Sequence, residues 1–520
     1  MEGTQEPIVR LTRHFTTPFD VTVASARTCY APRVIEPQEV SIDERARSRR
    51  DRIAQSIYQA GHHTTFQHAT FTFALERVSR QFIWSFLHSH PFYNSEQVSQ
   101  RYVEVRPGNF VEPPLSEAGR ELFRRTVAGQ MAAYADLTES LEGVVRREYT
   151  ALFPHRDADA KRWASVRERK QMEVARYVLP VATQAHLYHT ISGITLHRYH
   201  RLSQQFDTPW EQRRVVEGMV LCVNEVDPDF LRLAEDPIPL DETPEFRYFA
   251  ALEEVPGRPG GGAYVLEFDE SLRGRVSLLV DSKPNAEETM AQAVRDVLGV
   301  TRDAMANARA IDLVLNPAQN RYLADTLNLT AHAKLTRSMV HPHFTFRKKL
   351  SHTADSQDQR HRLTPGSRPI LARHVQPDQP DYIVPPLIAS EAVCRDRYVR
   401  SMEEAWAGIR GLLDLGEPLE YAMYLLPNAF PIRFEESGDL LAFHHKWTKR
   451  LCCTAQEEIW AACRDEVAQV ASAHPAIGRF LGAPCALRLL AKETPYCPEG
   501  DRFCGVPVWK LPVERYERVL

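Results

Sequence analysis

Residues 61–73 read Gly61-His62-His63-Thr64-Thr65-Phe66-Gln67-His68-Ala69-Thr70-Phe71-Thr72-Phe73, with Val78-Ser79-Arg80 close behind. Phe71 and Phe73 flank a polar Thr72, the alternation of a half-buried strand. Phe82, Ile83, Phe86 and Leu87 then recur at helical spacing. The run from Pro91 to Arg101 breaks that period and is dense in hydroxyls and amides. It reads as a loop built to donate hydrogen bonds. Short strand, helix and polar loop in succession start an α+β reading.

Outward from this stretch the chain repeats itself. Pro7-Ile8-Val9-Arg10-Leu11 is a strand, turned by Thr16-Thr17-Pro18-Phe19-Asp20 into a helix; Val276-Ser277-Leu278-Leu279-Val280 is another, turned by Asp281-Ser282-Lys283-Pro284-Asn285. Both turns carry side chains able to cap the coming helix. Ala175-Arg176-Tyr177-Val178-Leu179-Pro180 matches Ala422-Met423-Tyr424-Leu425-Leu426-Pro427, and an amphipathic helix follows each. The same order twice argues for duplication. Between the copies, Gly257-Arg258-Pro259-Gly260-Gly261-Gly262 cannot hold a helix or central strand. The expected division is residues 1–256, a linker at 257–262, and 263–520.

Composition agrees with two folded units. The chain has 520 residues, too many for one ordinary core, with 43% hydrophobic and 25% charged residues. Its net charge of −4 excludes a general nucleic-acid binder, which needs excess basic side chains. No run of eighteen apolar residues suggests a membrane span, and the polar start Met1-Glu2-Gly3-Thr4 does not read as a secretory signal. The nine cysteines, an odd number, read as reduced thiols of a cytoplasmic protein.

Ser99 and Arg101, two residues apart, can point the same way from an extended loop. A hydroxyl, backbone N–H groups and a guanidinium suit a phosphate monoester; a solvated loop with an incidental arginine is the plainer alternative. His62, His63, His68, His88 and His90 do not form a metal-binding spacing, so no metal is expected. Cys497 and Cys504, with Cys452, Cys453 or Cys485, leave a zinc site open, although buried single thiols explain them more simply.

The sequence resembles the flavin-dependent thymidylate synthases. The features that carry this are G-H-x-x-x-x-x-H-x-x-F-x-F from Gly61 to Phe73, Val78-Ser79-Arg80, S-x-R-Y at Ser99 to Tyr102, A-R-x-V-L-P at Ala175 to Pro180, and Ala26-Arg27-Thr28-Cys29-Tyr30. The likeness is strong in the first half and faint in the second. It implies two tandem α+β domains, each with a small sheet and long packed helices. It also implies thymidylate formation from deoxyuridine monophosphate (dUMP), with FAD, NADPH and methylenetetrahydrofolate. Ser99, Arg101, Arg176 and Gln97 would then bind the nucleotide, while His62, His63 and Cys29 would lie near the flavin.

Departures from the family signature R-H-R-x-x-S-x-N-E-x-S-x-R-Y are informative. The first half holds His88-Ser89-His90, or counting back from Arg101 Ser89-His90-Pro91, in the R-H-R slot, and Ser192, Ile194, Arg198 and Ser203 on the closing helix, where the family has Asn, Arg, Asn and a nucleotide-binding Arg. In the second half Arg347-Lys348-Lys349 is expected in or next to the R-H-R slot, with Arg450 at the nucleotide Arg. There Asp358 is read in place of the phosphate Ser and Met423 in place of Arg176; Asp439, Leu441 and His445 replace the flavin contacts. In this family the site lies between subunits, and these losses are complementary. The expectation is a hybrid site, with Ser99, Arg101 and Arg176 facing Arg347, Lys348, Lys349 and Arg450. A homodimer would then imitate the family's homotetramer. An inert nucleotide-binding or assembly protein of the same fold is the alternative.

Overall fold

The computed structural model describes residues 6–89, 92–154, 160–204, 208–251, 262–325, 327, 329–518 and 520. Two four-stranded antiparallel sheets organise it. The first contains β1 (Ile8–His14), β2 (Thr70–Ser79), β3 (Tyr93–Gln97) and β4 (Gln184–Ser192), in the order β1-β2-β4-β3. The second contains β5 (Ser277–Ser282), β6 (His343–Ser351), β7 (Gly366–Ser367) and β8 (Pro431–Asp439), in the equivalent order β5-β6-β8-β7. Even the irregularities repeat: a register shift falls between Leu11 and Arg13 in one sheet and between Leu279 and Asp281 in the other.

Local chemistry explains the shared start of each unit. Phe71, Phe73 and Leu75 turn one face of β2 into the core, and β4 lies antiparallel to it. Ser79 ends β2 and caps the Arg80–His88 helix by accepting from Phe82 N at 2.8 Å. Ser351 ends β6 and caps the His352–Asp358 helix in the same way, accepting from Ala354 N at 3.1 Å. The polar run after Pro91 is not all loop: Tyr93–Gln97 forms β3, paired along β4. Its hydrophilic side chains are tolerated because β3 is an edge strand with one solvated side.

The halves meet through long helices and the paired A-x-Y-x-L-P segments. The Glu117–Ser140 and Ala392–Asp414 helices pack closely: a Cβ on Gly408 would lie 2.5 Å from Thr126 Oγ1. Pro180 and Pro427 form a bridge, flanked by Val181 N to Leu426 O at 2.8 Å and Asn428 N to Leu179 O at 2.8 Å. Two glutamates, Glu211 buried and Glu458 half-buried, finish the joint. Glu211 accepts from Ser79 N, Ser79 Oγ and Tyr424 of the other half; Glu458 accepts from Ser351 N, Ser351 Oγ and Tyr177. Burial raises the pKa of both carboxyls.

One hydrophobic core therefore crosses the chain midpoint, joining Phe123 and Tyr177 to Phe344, Trp406 and Trp447. A second core, with Phe19, Phe71, Phe82 and Met219, belongs to the first half. The linker expected at 257–262 lies outside the described residues except for Gly262, which opens the Gly262–Ser271 helix. No described helix is long and apolar enough to cross a membrane.

Candidate functional site at the seam between the halves

The first half brings Arg80, the loop after β3, and the end of the Ala160–Ala175 helix to one place. Arg80 opens its helix and reaches back to Gln97 Oε1 at 2.9 Å and Val98 O at 2.6 Å, fixing where β3 releases the chain. In the loop, Ser99 Oγ accepts from Arg101 N at 3.2 Å, and Arg101 Nε donates to Glu173 at 2.6 Å. Arg176, at the first residue after that helix, donates from Nε to Glu173 O at 3.2 Å. Asn428 of the second half ties both strands of this arrangement together, donating to Gln100 Oε1 and to Arg176 O.

The second half closes the site with the Leu440–Arg450 helix. Arg101 Nη2 donates to Thr454 O, just past that helix, at 2.9 Å. Arg450 donates from Nε to His361 Nε2 at 2.8 Å and from Nη2 to Gln357 O at 3.2 Å. Arg360 pairs with Glu96 across the seam. Arg450 is lowered first by burial and then by the charges of Arg360 and, more weakly, Arg101, against the opposing pull of Asp358, so Arg101 and Arg450 lie along one seam.

The electrostatics are lopsided. Arg101, Lys170, Arg176 and Arg518 surround Glu173, with Arg80 close enough to Arg176 for their charges to interact and Glu457 3.8 Å from Lys170. Burial alone would raise Glu173, yet Lys170, Arg101, Arg518 and Arg176 together hold its carboxyl at about 2. Burial and these like charges penalise the protonated form of Lys170. Arg80 Nε, Gln100 Nε2, Lys170 Nζ and Arg176 Nη2 are buried donors with no hydrogen-bond partner among the described residues. Glu173 Oε1 and Glu457 Oε1 are likewise buried without a hydrogen-bond partner among the described residues, but the surplus of cationic donors suits an anion.

Other expected residues fall elsewhere. Arg347, Lys348 and Lys349 lie on β6, ahead of the helix that leads to the R-H-R slot. Lys348 is wholly buried against Asp358, Glu436 and Glu466; Arg347 bonds Glu435 and Ser271; Lys349 bonds Asp269. All these partners come from the second half. Asp358 is likewise a core residue, pairing Lys348 and Lys446, so it does not stand in a phosphate loop. His88 sits against Trp84 and 3.6 Å from Asp355, driven down to about 3 by burial and then by Arg368. His90 lies outside the described residues. Cys29 and His62 are exposed, and His63 bonds Tyr58 O.

An R-H-R triplet does occur in the second half, as Arg360-His361-Arg362. Ser351 corresponds to Ser79 as the cap after the second strand of each sheet, and nine residues on from each lie Arg360 and His88. The triplet reaches the first half at two points: Arg360 to Glu96, and Arg362 to Asn94 at 3.3 Å and over the Tyr93 ring.

The sequence profile described as thymidylate synthase complementing protein matches residues 10–229 and again 278–476. The chain belongs to this family. A flavin-dependent thymidylate synthase of Clostridium tetani is 25% identical over 233 residues, 43% of this chain and 85% of that protein. One from Nitratidesulfovibrio vulgaris is 28% identical over 230 residues, again 43% and 85%. The structure of a UMP/dUMP methylase PolB from Streptomyces cacaoi, bound with 5-Br dUMP, shares 19% identity and covers 43% of this chain and 93% of its own. Its TM-score of 0.27 is too low to carry an argument. Each relative spans less than half of this chain, whereas the thymidylate synthase complementing profile matches twice.

The relatives are named for a flavin. A cleft of about 440 Å³ is lined by Gln67, Thr70, Asn94, Ser192, Arg198 and, from the other half, Arg362. Tyr93, Ile191 and Ile194 supply an apolar wall. Hydroxyls, amides, two guanidiniums and an apolar wall fit the donor needs of a dinucleotide. Ser192, Ile194 and Arg198 are the positions where the family's Asn, Arg and Asn are lost; Arg362 returns a guanidinium to the cleft. Among the described residues no group of three or more His, Cys, Asp or Glu could hold a metal. Cys452, Cys453, Cys485, Cys497 and Cys504 instead line one small cavity as free thiols.

Proposed function

We propose that this chain methylates dUMP to thymidylate at one hybrid site per chain, with FAD, methylenetetrahydrofolate and NADPH. The observation that carries the reading is the surplus of buried, partly unpaired cations gathered from both halves around Arg101, Arg176 and Glu173. Arg101 and Arg176 hold the nucleotide phosphate, and the Ser99 hydroxyl adds a further donor. Arg450, oriented by His361 and Gln357 O, brings the second half's charge to the same anion. Arg80 and Gln97 keep the phosphate loop in place.

Arg362, Arg198, Ser192, Gln67 and Thr70 are the residues available to hold FAD. Bound and reduced, FAD supplies hydride to the pyrimidine, so the protein's task is alignment and charge neutralisation.

The opposite seam supports one site, not two. There Met423 replaces the arginine, and Arg368, Trp84 and His88 gather on Asp355, with Arg368 Nη2 at 2.7 Å and Trp84 Nε1 at 2.8 Å. Its charges are satisfied internally. Two such chains would take the place of four family subunits, which native mass spectrometry tests. For the activity, flavin absorption bands on purified protein and thymidylate formed from dUMP are the expected results. A colourless protein that binds dUMP without turnover contradicts the catalytic part.

A further inference from the structure

Beyond the second family match, which ends at residue 476, the chain returns to the seam. Tyr516 is almost wholly buried; its hydroxyl accepts from Ala483 N at 3.4 Å and its carbonyl from Arg464 Nη1 at 3.2 Å. The sulfur of Cys453 lies 3.9 Å from Glu517 O. These contacts fix the segment against the Glu457–Ala473 helix and its neighbours, and they turn Arg518 inward.

Arg518 Nη1 donates to Ala455 O at 2.5 Å, next to Thr454, whose carbonyl accepts Arg101. Arg518 Nη2 lies 3.9 Å from the Glu173 carboxylate, with the side chain 9% exposed. Its Nε is buried without a hydrogen-bond partner among the described residues. Glu173 already takes Arg101 at 2.6 Å and Lys170 at 3.6 Å. A third cation on one buried carboxylate is repelled by the other two unless an anion joins them. A guanidinium, with a planar fork of donors, matches a phosphate better than a lone ammonium does.

We infer that Arg518 is a further phosphate-binding residue of the nucleotide site, delivered by a segment that lies outside both family matches. The inference rests on reading the seam as the dUMP pocket. Removing one charge-assisted contact weakens binding by about tenfold or more, but only for the phosphorylated ligand.

Calorimetric titration of dUMP and of deoxyuridine into wild type, Arg518→Ala, Arg518→Lys and Arg101→Ala tests it. Arg518→Ala is expected to weaken dUMP about tenfold and leave deoxyuridine unchanged, with part of the loss restored by Arg518→Lys. If Arg101→Ala weakens dUMP and Arg518→Ala does not, the inference fails and the pocket stands. If neither matters, the pocket reading fails with it. An equal loss for both ligands marks Arg518 as structural and also overturns the inference. Should Arg518→Ala not fold, Arg518→Gln, which retains an N–H for Ala455 O, serves in the same comparison.

Discussion

Arg101 and Thr454 lie 353 positions apart in the chain, yet the Arg101 guanidinium donates to the Thr454 carbonyl at 2.9 Å. That bond places the first half's loop after β3 against the end of the Leu440–Arg450 helix of the second half. A seam of this kind is what an enzyme assembled from separate subunits would keep after its gene had doubled.

The Tyr177 and Tyr424 hydroxyls make the same crossed contact, to Glu458 and Glu211, and Tyr177 also accepts from Gln456 Nε2, so the loss of either should destabilise the joint. Tyr177→Phe and Tyr424→Phe are each expected to lower unfolding stability by about 1–3 kcal/mol, the cost of leaving a buried acceptor short of a partner. Urea denaturation of the two variants checks this. A large loss in one and none in the other contradicts the twofold arrangement.

Lys348 tests the correction to the basic triplet. It is enclosed by three carboxylates, so Lys348→Met breaks a buried ion network and is expected to destabilise the protein by about 3–5 kcal/mol. Affinity of the folded protein for dUMP and FAD should be unchanged. A stable variant that loses FAD contradicts the structural role.

Histidine burial sets the response to acid. His88, His189 and His352 are held down at about 3, and His197, His374 and His444 at about 4, chiefly by burial. Unfolded histidines titrate near 6.5, so the unfolded chain takes up more protons below that pH. This contribution is complete above pH 6.5 and is lost as pH falls toward 4, by up to about 1.4 kcal/mol per unit for each ring. Glu420, raised to about 7 by burial, acts in the opposite sense, as do the raised carboxyls of Glu211 and Glu458, while the lowered rings of His361, His445 and His474 add to the histidine side. Urea midpoints should fall between pH 6.5 and 5, and His189→Gln should flatten the slope by about one proton. A midpoint constant over that range contradicts the burial of these rings as neutral bases.

Much of this was legible from local pattern. Phe71-Thr72-Phe73 showed a half-buried strand because alternation survives in the sequence, and the two A-x-Y-x-L-P segments showed the duplication. Tyr93–Gln97 was hidden because an edge strand needs no apolar face. Arg360-His361-Arg362 is masked in the sequence because reading Asp358 as the phosphate Ser uses Arg360 as the arginine that follows it. The cap Ser351, matched to Ser79, gives the right offset. Lys170, Glu173 and Arg518 carry no signal at all: their meeting depends on tertiary packing between distant segments.

The central claim, one nucleotide pocket made by both halves, is tested most directly by calorimetric titration of dUMP into wild type, Arg176→Ala and Arg450→Ala. Each substitution removes a charged contact worth about 1.5–3 kcal/mol, so both should weaken dUMP by roughly 10- to 150-fold, with one nucleotide bound per wild-type chain. Unchanged affinity in Arg450→Ala beside a large loss in Arg176→Ala, or two equal sites per chain, contradicts it.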